Sequence, residues 1–313
     1  MFRRGVFRRS GIGTAALALA GACGLTAPAT AMPSGFAFLE VPAGARASAL
    51  GGAVVSSGSG VEAAFWNPAG LATIEGVEIG GSHDESFDHL RHDRFAVAGR
   101  QLGGGIALAV RALYTQPIEA RDDLGNVTGT FGGHDLEFAL GYGRTLTAGV
   151  RAGLSAEIVR ERIADLSTGT WSLGAGIGYA PPSAPALTLG LAVDHLGPDA
   201  HYTFADGPGQ PVPLPAGVQA GGTYAFGLGG AMGLAASLEA RAARGRALVG
   251  MMGAELSHPS GAALRLGLRV NDSASSVSMG AGYGSRALHL DYAFVPYRLD
   301  LGDTHRVSFT ARF

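Results

Sequence analysis

The chain has 313 residues, of which 51 are glycine and only 15% are charged, and its formal net charge is -2. A charge so close to neutral gives no basis for a nucleic-acid partner or for a long charged tail. Beyond residue 31, no stretch approaches the about eighteen consecutive apolar residues that a transmembrane helix needs.

Residues 1–31 are predicted to be a secretory signal peptide. Its basic start, apolar middle and A-x-A cleavage site are Arg3, Arg4, Arg8 and Arg9, residues 11–25, and residues 29–31. The paired arginines also fit a twin-arginine signal, and Cys23 also fits a lipoprotein cysteine without its usual preceding leucine. Cleavage after Ala31 would start the mature chain near Met32 and remove the single cysteine.

Residues 32–75 form the second predicted part of the chain. They lack regular alternation, but Ala45 to Leu50 can form a short helix, and the glycines and prolines beyond it favour irregular backbone. Two arrangements are open for this part. It is either a periplasmic lead-in or a plug of about forty residues folded into the lumen of the barrel that follows.

From about Gly76 to Phe313, runs of about ten residues with strict apolar alternation are each followed by a turn. Such runs are β-strands with one apolar face. In one clear case, Leu264, Leu266 and Leu268 alternate with Arg265 and Gly267. Together with weaker runs, the count is about fourteen strands, an even number that suits a single-chain outer-membrane barrel. The fold predicted for residues 76–313 is therefore an all-β antiparallel transmembrane β-barrel.

The connections between the predicted strands alternate between long and short, as in barrels with external loops at one end and periplasmic turns at the other. The predicted external loops are residues 84–93, 116–133, 162–169, 196–216, 242–245, 271–274 and 297–303. The predicted turns are residues 102–104, 146–148, 181–186, 228–230, 258–261 and 285–286.

The apolar face of the strands is predicted to face lipid and the polar face to line the lumen. Mixed charge signs on the polar face favour lumenal ion pairs over a pore of one charge. A soluble sandwich, in which this face is solvated, is the alternative. The predicted lumenal charged and ionisable residues are Arg111, Glu137, Arg151, Glu157, Glu239, Arg241, Glu255, Arg265, Arg269, His289, Asp291 and Arg306.

Phe313 ends the last predicted strand, which carries apolar or aromatic residues at every second position. This ending resembles the C-terminal signal that the barrel-assembly machinery reads. The expected partners are therefore that machinery during biogenesis and the lipid of the outer membrane.

No chemical motif in the sequence indicates catalysis. HExxH, GxSxG and Walker motifs are absent, as is a convincing Ser, His and Asn arrangement on the strands. Gly174, Gly176 and Gly178 alternate within a strand, which favours close packing of a plug over nucleotide binding. The expectation is a protein that is not an enzyme, with no catalytic residues, no metal site and no cofactor.

Two clusters of polar residues in predicted external loops can be interpreted either as solvated loops or as cation-binding sites. The acidic and glycine-containing stretch at residues 122–126 is read as a turn, because it lacks the ligand spacing of a calcium loop. The second group can bind a divalent cation, but a solvated loop tip is favoured. It consists of His83, Asp84, Glu85, Asp88, His89, His92 and Asp93.

Four segments of the sequence resemble PorV/PorQ-type proteins, a branch of the FadL-like outer-membrane barrels. They are FLEVPAGARASALGG at 38–52, AAFWNPAGLA at 63–72, LGLAVDHLG at 189–197 and LDYAFVPYRLDLGDTHRVSFTARF at 290–313. The resemblance covers essentially the whole mature chain, and it departs from the family pattern at His195, where the family tends to have asparagine.

This resemblance implies a bacterial outer-membrane barrel of fourteen strands whose N-terminal segment is a hatch. The hatch motif would be Asn67, Pro68, Ala69 and Gly70. FadL-like relatives pass fatty acids or other hydrophobic molecules across the outer membrane, whereas PorV-like relatives escort cargo in type IX secretion. The expected function is therefore passive transport of hydrophobic molecules, with an accessory role in secretion, and secreted cargo proteins as partners, as the alternative.

Overall fold

The computed structural model describes residues 34–86, 90–204, 206–229, 231–298 and 302–313. The predicted signal peptide, residues 1–31, lies outside the described residues, as do Asp88 and His89 of the histidine-rich stretch. Within the described ranges, no helix is long and apolar enough to cross a membrane.

The part of the chain before the barrel contains one short α-helix, α1 (Ala45–Ala49), and three 3-10 helices at Ala37–Glu40, Gly60–Phe65 and Pro68–Thr73. The short helix predicted at this position is confirmed. It ends where Gly51 and Gly52 adopt φ angles of 65° and 84°, which only glycine reaches without strain. The Gly52 amide then donates to the Ala47 carbonyl over 2.9 Å.

Eighteen strands follow in the described residues. They are β1 (Val77–Glu85), β2 (Arg91–Gln101), β3 (Gly104–Tyr114), β4 (Ile118–Arg121), β5 (Val127–Phe131), β6 (Gly133–Thr147), β7 (Val150–Ile163), β8 (Leu166–Tyr179), β9 (Leu187–Leu196), β10 (Ala200–Phe204), β11 (Gly207–Val212), β12 (Gly217–Gly229), β13 (Met232–Ala243), β14 (Val249–Ser257), β15 (Ala262–Val270), β16 (Val277–Gly284), β17 (Leu288–Pro296) and β18 (Asp303–Arg312).

Fourteen of these strands close into one antiparallel barrel, and the other four form two separate hairpins, β4–β5 and β10–β11. Barrel neighbours are consecutive in the chain, except that β3 pairs with β6 and β9 with β12 around the hairpins. The barrel closes where β1 pairs with β18, with Gly81 opposite Phe309. The all-β barrel of fourteen strands predicted from the alternation is confirmed.

The loops differ from the prediction in four places, one of which is the histidine-rich stretch at residues 84–93. Residues 162–169 form no long loop, because β7 and β8 continue pairing to Ile163 and Leu166 and are joined by a two-residue turn. The two longest connections are not irregular, since each contains a hairpin. In the hairpin β4–β5, Asp122 accepts bonds from the backbone and side chain of Asn126, as expected for a turn, and these bonds lower the pKa of Asp122.

The apolar face of the barrel strands points outward, as the alternation predicted. Large apolar side chains on it are half-exposed or more, such as Leu154 and Ile158, each 65% exposed, and Leu238, 67% exposed. Their neighbours on the inner face are buried, including Glu157 and Glu239. The barrel is thus apolar outside and polar inside, the reverse of a soluble barrel.

Candidate functional site

Residues 34–75, the lumenal segment, pack against the inner face of the barrel. The 3-10 helix Pro68–Thr73 contacts β3, β6, β7 and β8, whereas α1 contacts β15 to β18. Val61, Leu71 and Ile74 form an apolar core with small inward-facing residues such as Ala96 and Ala107. Of the two arrangements that the sequence left open, the structure has the segment inside the lumen.

The Asn-Pro-Ala-Gly motif forms the turn that begins the last 3-10 helix of the segment. Asn67 is the N-cap, and its Oδ1 accepts from the Ala69 amide over 3.1 Å. Its Nδ2 donates to the carbonyls of Val55, over 2.8 Å, and Ile177, over 3.2 Å. Pro68 occupies the first helical position, where a missing N–H costs nothing. Asn67 therefore ties two turns of the segment to the wall strand β8.

Glycines on the inner wall let this turn approach the strand backbones. A Cβ on Gly176 would lie 1.9 Å from Asn67 Oδ1, and one on Gly153 would lie 2.2 Å from the Pro68 carbonyl carbon. Either approach is far shorter than a van der Waals contact, so any side chain would displace the turn. Close approach of backbone is a common reason for glycine within a strand.

Glu239 on β13 fixes a second turn of the segment. Its two carboxylate oxygens accept from the backbone amides of Val55 and Ser56, each over 3.0 Å. The Ser56 hydroxyl and the Gln219 side chain donate to the same carboxylate over 2.6 and 2.7 Å. The buried carboxylate of Glu239 thus accepts hydrogen bonds from both the segment and the wall. Because the acceptor is charged, these hydrogen bonds are charge-assisted.

A chain of alternating charges holds α1 against the opposite wall. Arg46 donates two bonds to Glu255, over 2.9 and 3.2 Å. Arg265 bridges Glu255, over 2.5 Å, and Asp291, over 2.6 Å. Such networks of paired charges lose much of their stability when one partner is removed.

A further group of buried charges lies near the outer ends of β1, β2 and β18. Arg94 pairs with Asp84 over 2.8 Å, and Arg306 lies 3.6 Å from the same carboxylate. Arg306 also donates to the Pro42 carbonyl and the Ser48 hydroxyl of the segment, over 3.0 and 2.9 Å.

The prediction of a loop tip for the histidine-rich stretch is wrong for its described residues, because they all lie in β1 or β2. They are His83, Asp84, Glu85, His92 and Asp93. β1 extends to Glu85 and β2 begins at Arg91. As a result, Asp84 and His92 form a cross-strand pair and are buried on the inner face. Their outward neighbours His83 and Asp93 contact each other instead, over 2.5 Å. The cause is that the two strands pair further than the loop prediction allowed.

The other lumenal charges predicted from the sequence have separate roles. Arg241 bonds Asp194 over 2.5 Å, and Arg269 pairs with Asp272 over 2.8 Å. Arg151 lies on the inner face at the start of β7 and makes no ion pair with any described residue. Glu157 bonds two serines of the wall, Ser155 and Ser172.

The lumenal segment itself contains one carboxyl group in a low-dielectric setting. Burial raises the pKa of Glu62, an effect that the nearby Arg46 partly opposes. Glu62 lines a void of about 20 Å³, together with Gly44 and Phe65. The void has room for one water molecule at most.

The lumenal segment lines a cavity at each end of the barrel. The outer cavity, of about 800 Å³, lies between Val41, Pro42 and the loops after β13, β15 and β17. The inner cavity, of about 690 Å³, is lined by Gly60 and Thr73 of the segment and by Phe313. The segment therefore lies in the lumen between two cavities, each large enough to hold many water molecules.

The sequence reading missed several uncharged residues that hold the segment. Gln219 donates to the Gly52 carbonyl over 2.9 Å. Thr223 links the Ser56 and Ser237 hydroxyls over 2.7 Å on each side. All three wall residues have the inward parity of their strands, so that parity was the available signal. A selection by charge leaves these residues out.

No protein-family model matches the sequence, and no curated protein does. The fold, however, is similar to that of solved transporters. The toluene transporter TbuX of Ralstonia pickettii has a TM-score of 0.59 at 16% identity, over 86% of this chain and 98% of that chain. The monoaromatic hydrocarbon channel CymD has a TM-score of 0.60 at 14% identity, over 86% of this chain and 97% of that chain. The toluene transporter TodX of Pseudomonas putida has a TM-score of 0.59 at 14% identity, over 85% and 97%. At these identities the likeness shows a shared fold.

Proposed function

We propose that this protein is a passive, non-enzymatic conduit for hydrophobic small molecules in the bacterial outer membrane. The observation that carries the proposal is a barrel with an apolar exterior whose lumen is occupied by a tethered segment between two cavities. The shared fold with toluene and monoaromatic hydrocarbon transporters supports the same reading.

The outer membrane is proposed as the location because of the exterior of the barrel. Exposed apolar side chains such as Leu108, Leu154, Leu238 and Leu264 recur around it. In water, an apolar surface of this extent would associate, whereas in lipid it needs no partner. Export through the signal at residues 1–31 and insertion by the barrel-assembly machinery, with Phe313 as its signal, belong to the same proposal.

Asn67, Pro68, Ala69 and Gly70 are proposed as determinants of a hatch. The lumenal segment is held by hydrogen bonds and ion pairs in addition to its apolar contacts with the wall. Each bond can exchange for a bond to water once the segment shifts, so the segment can rearrange without unfolding the barrel. A molecule entering from the outer cavity would pass when this segment moves.

The outer cavity supports a ligand with an apolar body and an acidic or carbonyl head, as in a fatty acid. Leu90, Leu113, Val249 and Val295 contribute apolar walls. His92 lies at its floor, and its Nδ1 is 2.9 Å from Arg94 Nη2. Because a guanidinium only donates, Nδ1 accepts and the proton is on Nε2. That buried N–H has no partner among the described residues, so it would bind an acceptor on a ligand once neighbouring side chains move aside.

The test is uptake and binding with a pair of variants on adjacent residues of β13. Ala243 lines the outer cavity, and Ala242 points to the opposite face of the strand. We expect Ala243→Trp to reduce binding of a fluorescent fatty-acid analogue to the purified barrel, and to reduce growth of a deletion strain on long-chain fatty acids. Ala242→Trp is the matched control. Normal uptake in the deletion strain, or equal binding by both variants, would contradict the proposal.

A second candidate function is an accessory role in protein secretion, as the resemblance to PorV-like proteins implies. The observation that favours it is the hairpin β4–β5, which leaves Ile118, Leu124, Val127 and Phe131 exposed outside the barrel. Partner proteins could bind there without entering the lumen. Purification of the tagged protein from cross-linked cells, with and without residues 118–131, tests this role. If secretion components and cargo are absent from both samples, the role is excluded.

A further inference from the structure

Three buried side chains from three strands meet on the inner wall, apart from the groups that hold the lumenal segment. They are Glu137 on β6, Glu157 on β7 and His195 on β9, and they are 4%, 7% and 7% exposed. Each offers one ligand atom, and these atoms all lie within 4.8 Å of one another. We propose that Glu137, Glu157 and His195 bind one divalent transition-metal ion, with zinc as the best fit.

The backbone is bent to bring His195 into this position. Regular alternation puts residues 191 and 193 of β9 outward and Asp194 inward, so His195 would face outward. Instead β9 has two residues, Asp194 and His195, against the single Gly174 of β8. His195 adopts a φ of 53°, a left-handed conformation that is uncommon for residues other than glycine. The bulge therefore turns a second consecutive side chain inward, which is a recognised use of such bulges.

The imidazole that the bulge turns inward has an unused nitrogen. His195 Nδ1 lies 3.7 Å from Glu157 Oε2, which is beyond hydrogen-bond distance. No described residue gives it a hydrogen bond, although the ring is buried. A buried polar atom without a hydrogen-bond partner destabilises the folded state. A cation between the imidazole and the two carboxylates removes that cost, and strained backbone of this kind is concentrated at functional sites.

The two carboxylates are oriented by neighbours that would serve as outer-shell groups. Ser155 donates to Glu157 Oε1 over 2.6 Å, and Ser172 donates to Oε2. Arg111 Nε lies 2.9 Å from Glu137 Oε2, and its Nη1 donates to the Leu39 carbonyl over 2.7 Å. Glu157 is thus held by hydrogen bonds, as ligands of metal sites typically are, and Glu137 is held by an ion pair.

The donor set selects the class of metal. One imidazole and two carboxylates suit zinc and other first-row divalent ions better than magnesium or calcium, which prefer oxygen alone. In a tetrahedral site, bonds of about 2.0–2.2 Å place the ligand atoms roughly 3.3–3.6 Å apart, so the side chains must approach one another by up to about 1 Å to complete the site. A bound ion would join β6, β7 and β9 and would influence the lumenal segment through Arg111 and Leu39.

The alternative is a simple ion pair between protonated His195 and Glu157, and metal binding distinguishes the two. The purified full-length barrel in detergent is stripped with chelator, dialysed against zinc, and analysed for bound metal and for its midpoint of thermal unfolding. We expect one zinc ion per chain and a raised midpoint. Cobalt in place of zinc should give visible absorption bands typical of a site with nitrogen and oxygen ligands.

The decisive variant is His195→Asn, because asparagine tolerates positive φ and leaves the bulge intact while removing the imidazole. It should lose the bound ion and the cobalt bands. His289→Asn is the matched control, since His289 also faces a lumenal carboxylate, Asp291, over 3.1 Å, and it should retain both. Ser172→Ala should weaken binding about tenfold to a hundredfold. Absence of bound zinc in the wild type, or equal binding in His195→Asn, would overturn the proposal.

Discussion

Replacing Glu239 with glutamine tests whether one buried carboxylate holds the lumenal segment in place. Both of its oxygens accept a backbone N–H from the segment, at Val55 and Ser56. The glutamine amide has the same shape but only one acceptor oxygen, so one of these amides must face an NH2 group. A hydrogen bond to a charged group contributes about 1.5–3 kcal/mol, and the donor left unpaired adds to the loss. We expect opening of this turn to become about 3 kcal/mol easier.

Hydrogen exchange of the peptide containing residues 55 and 56 measures this effect. With about 1.4 kcal/mol for each tenfold change, exchange should become roughly a hundredfold faster where opening limits it. The barrel itself should remain closed, which is checked by a difference in its migration on a gel before and after heating. Glu119→Gln is the control, because Glu119 pairs with Arg121 on the exposed hairpin β4–β5. A change below about threefold, or about 0.7 kcal/mol, would refute the reasoning.

Three further predictions use the same barrel. Gly176→Ala should displace the turn at Asn67 and destabilise the segment by about 1–3 kcal/mol, which should be seen as faster proteolysis within residues 34–75. Gly178→Ala is the control, because the atoms nearest to its new Cβ are Arg151 nitrogens at 3.5 Å, and it should leave the rate of proteolysis unchanged. The pKa of Glu62 is raised in the folded chain. Its protonated form therefore stabilises the folded state fully below the ordinary pKa of 4.5, and this stabilisation is lost as the pH rises through the pKa of the folded state. Glu62→Gln should therefore unfold at a higher temperature than wild type at neutral pH, and the difference should shrink on acidification; a pH-independent difference would contradict this. Leu154→Arg should lower the amount of folded barrel in the outer membrane, because an arginine on the lipid-facing surface costs up to about 2–4 kcal/mol. Leu124→Arg on the exposed hairpin is the control and should leave that amount unchanged. Equal amounts of the two variants would argue against a lipid-facing exterior.

The barrel could be predicted because strand alternation is a local property. Leu264, Leu266 and Leu268 lie outward and Arg265 is buried inward, as their spacing requires. The alternation does not extend to His195, because a bulge changes the parity of every residue on one side of it. The predicted loop at residues 162–169 is wrong for a related reason, since β7 and β8 continue to pair through most of that range. Pairing between strands is decided by both strands together, and the sequence of one strand cannot reveal it.

The sequence by itself determined the all-β class, the fourteen barrel strands and the inward or outward direction of most side chains. Each of these follows from period-two patterning, which any short stretch of the chain carries. Only the tertiary structure decided where residues 34–75 lie and which groups hold them. Glu239 lies 183 residues from Ser56 in the chain, and His195 lies far from Glu137, yet barrel closure brings each pair together. Such contacts depend on the register of many strands at once, so they exist only when the whole barrel has closed.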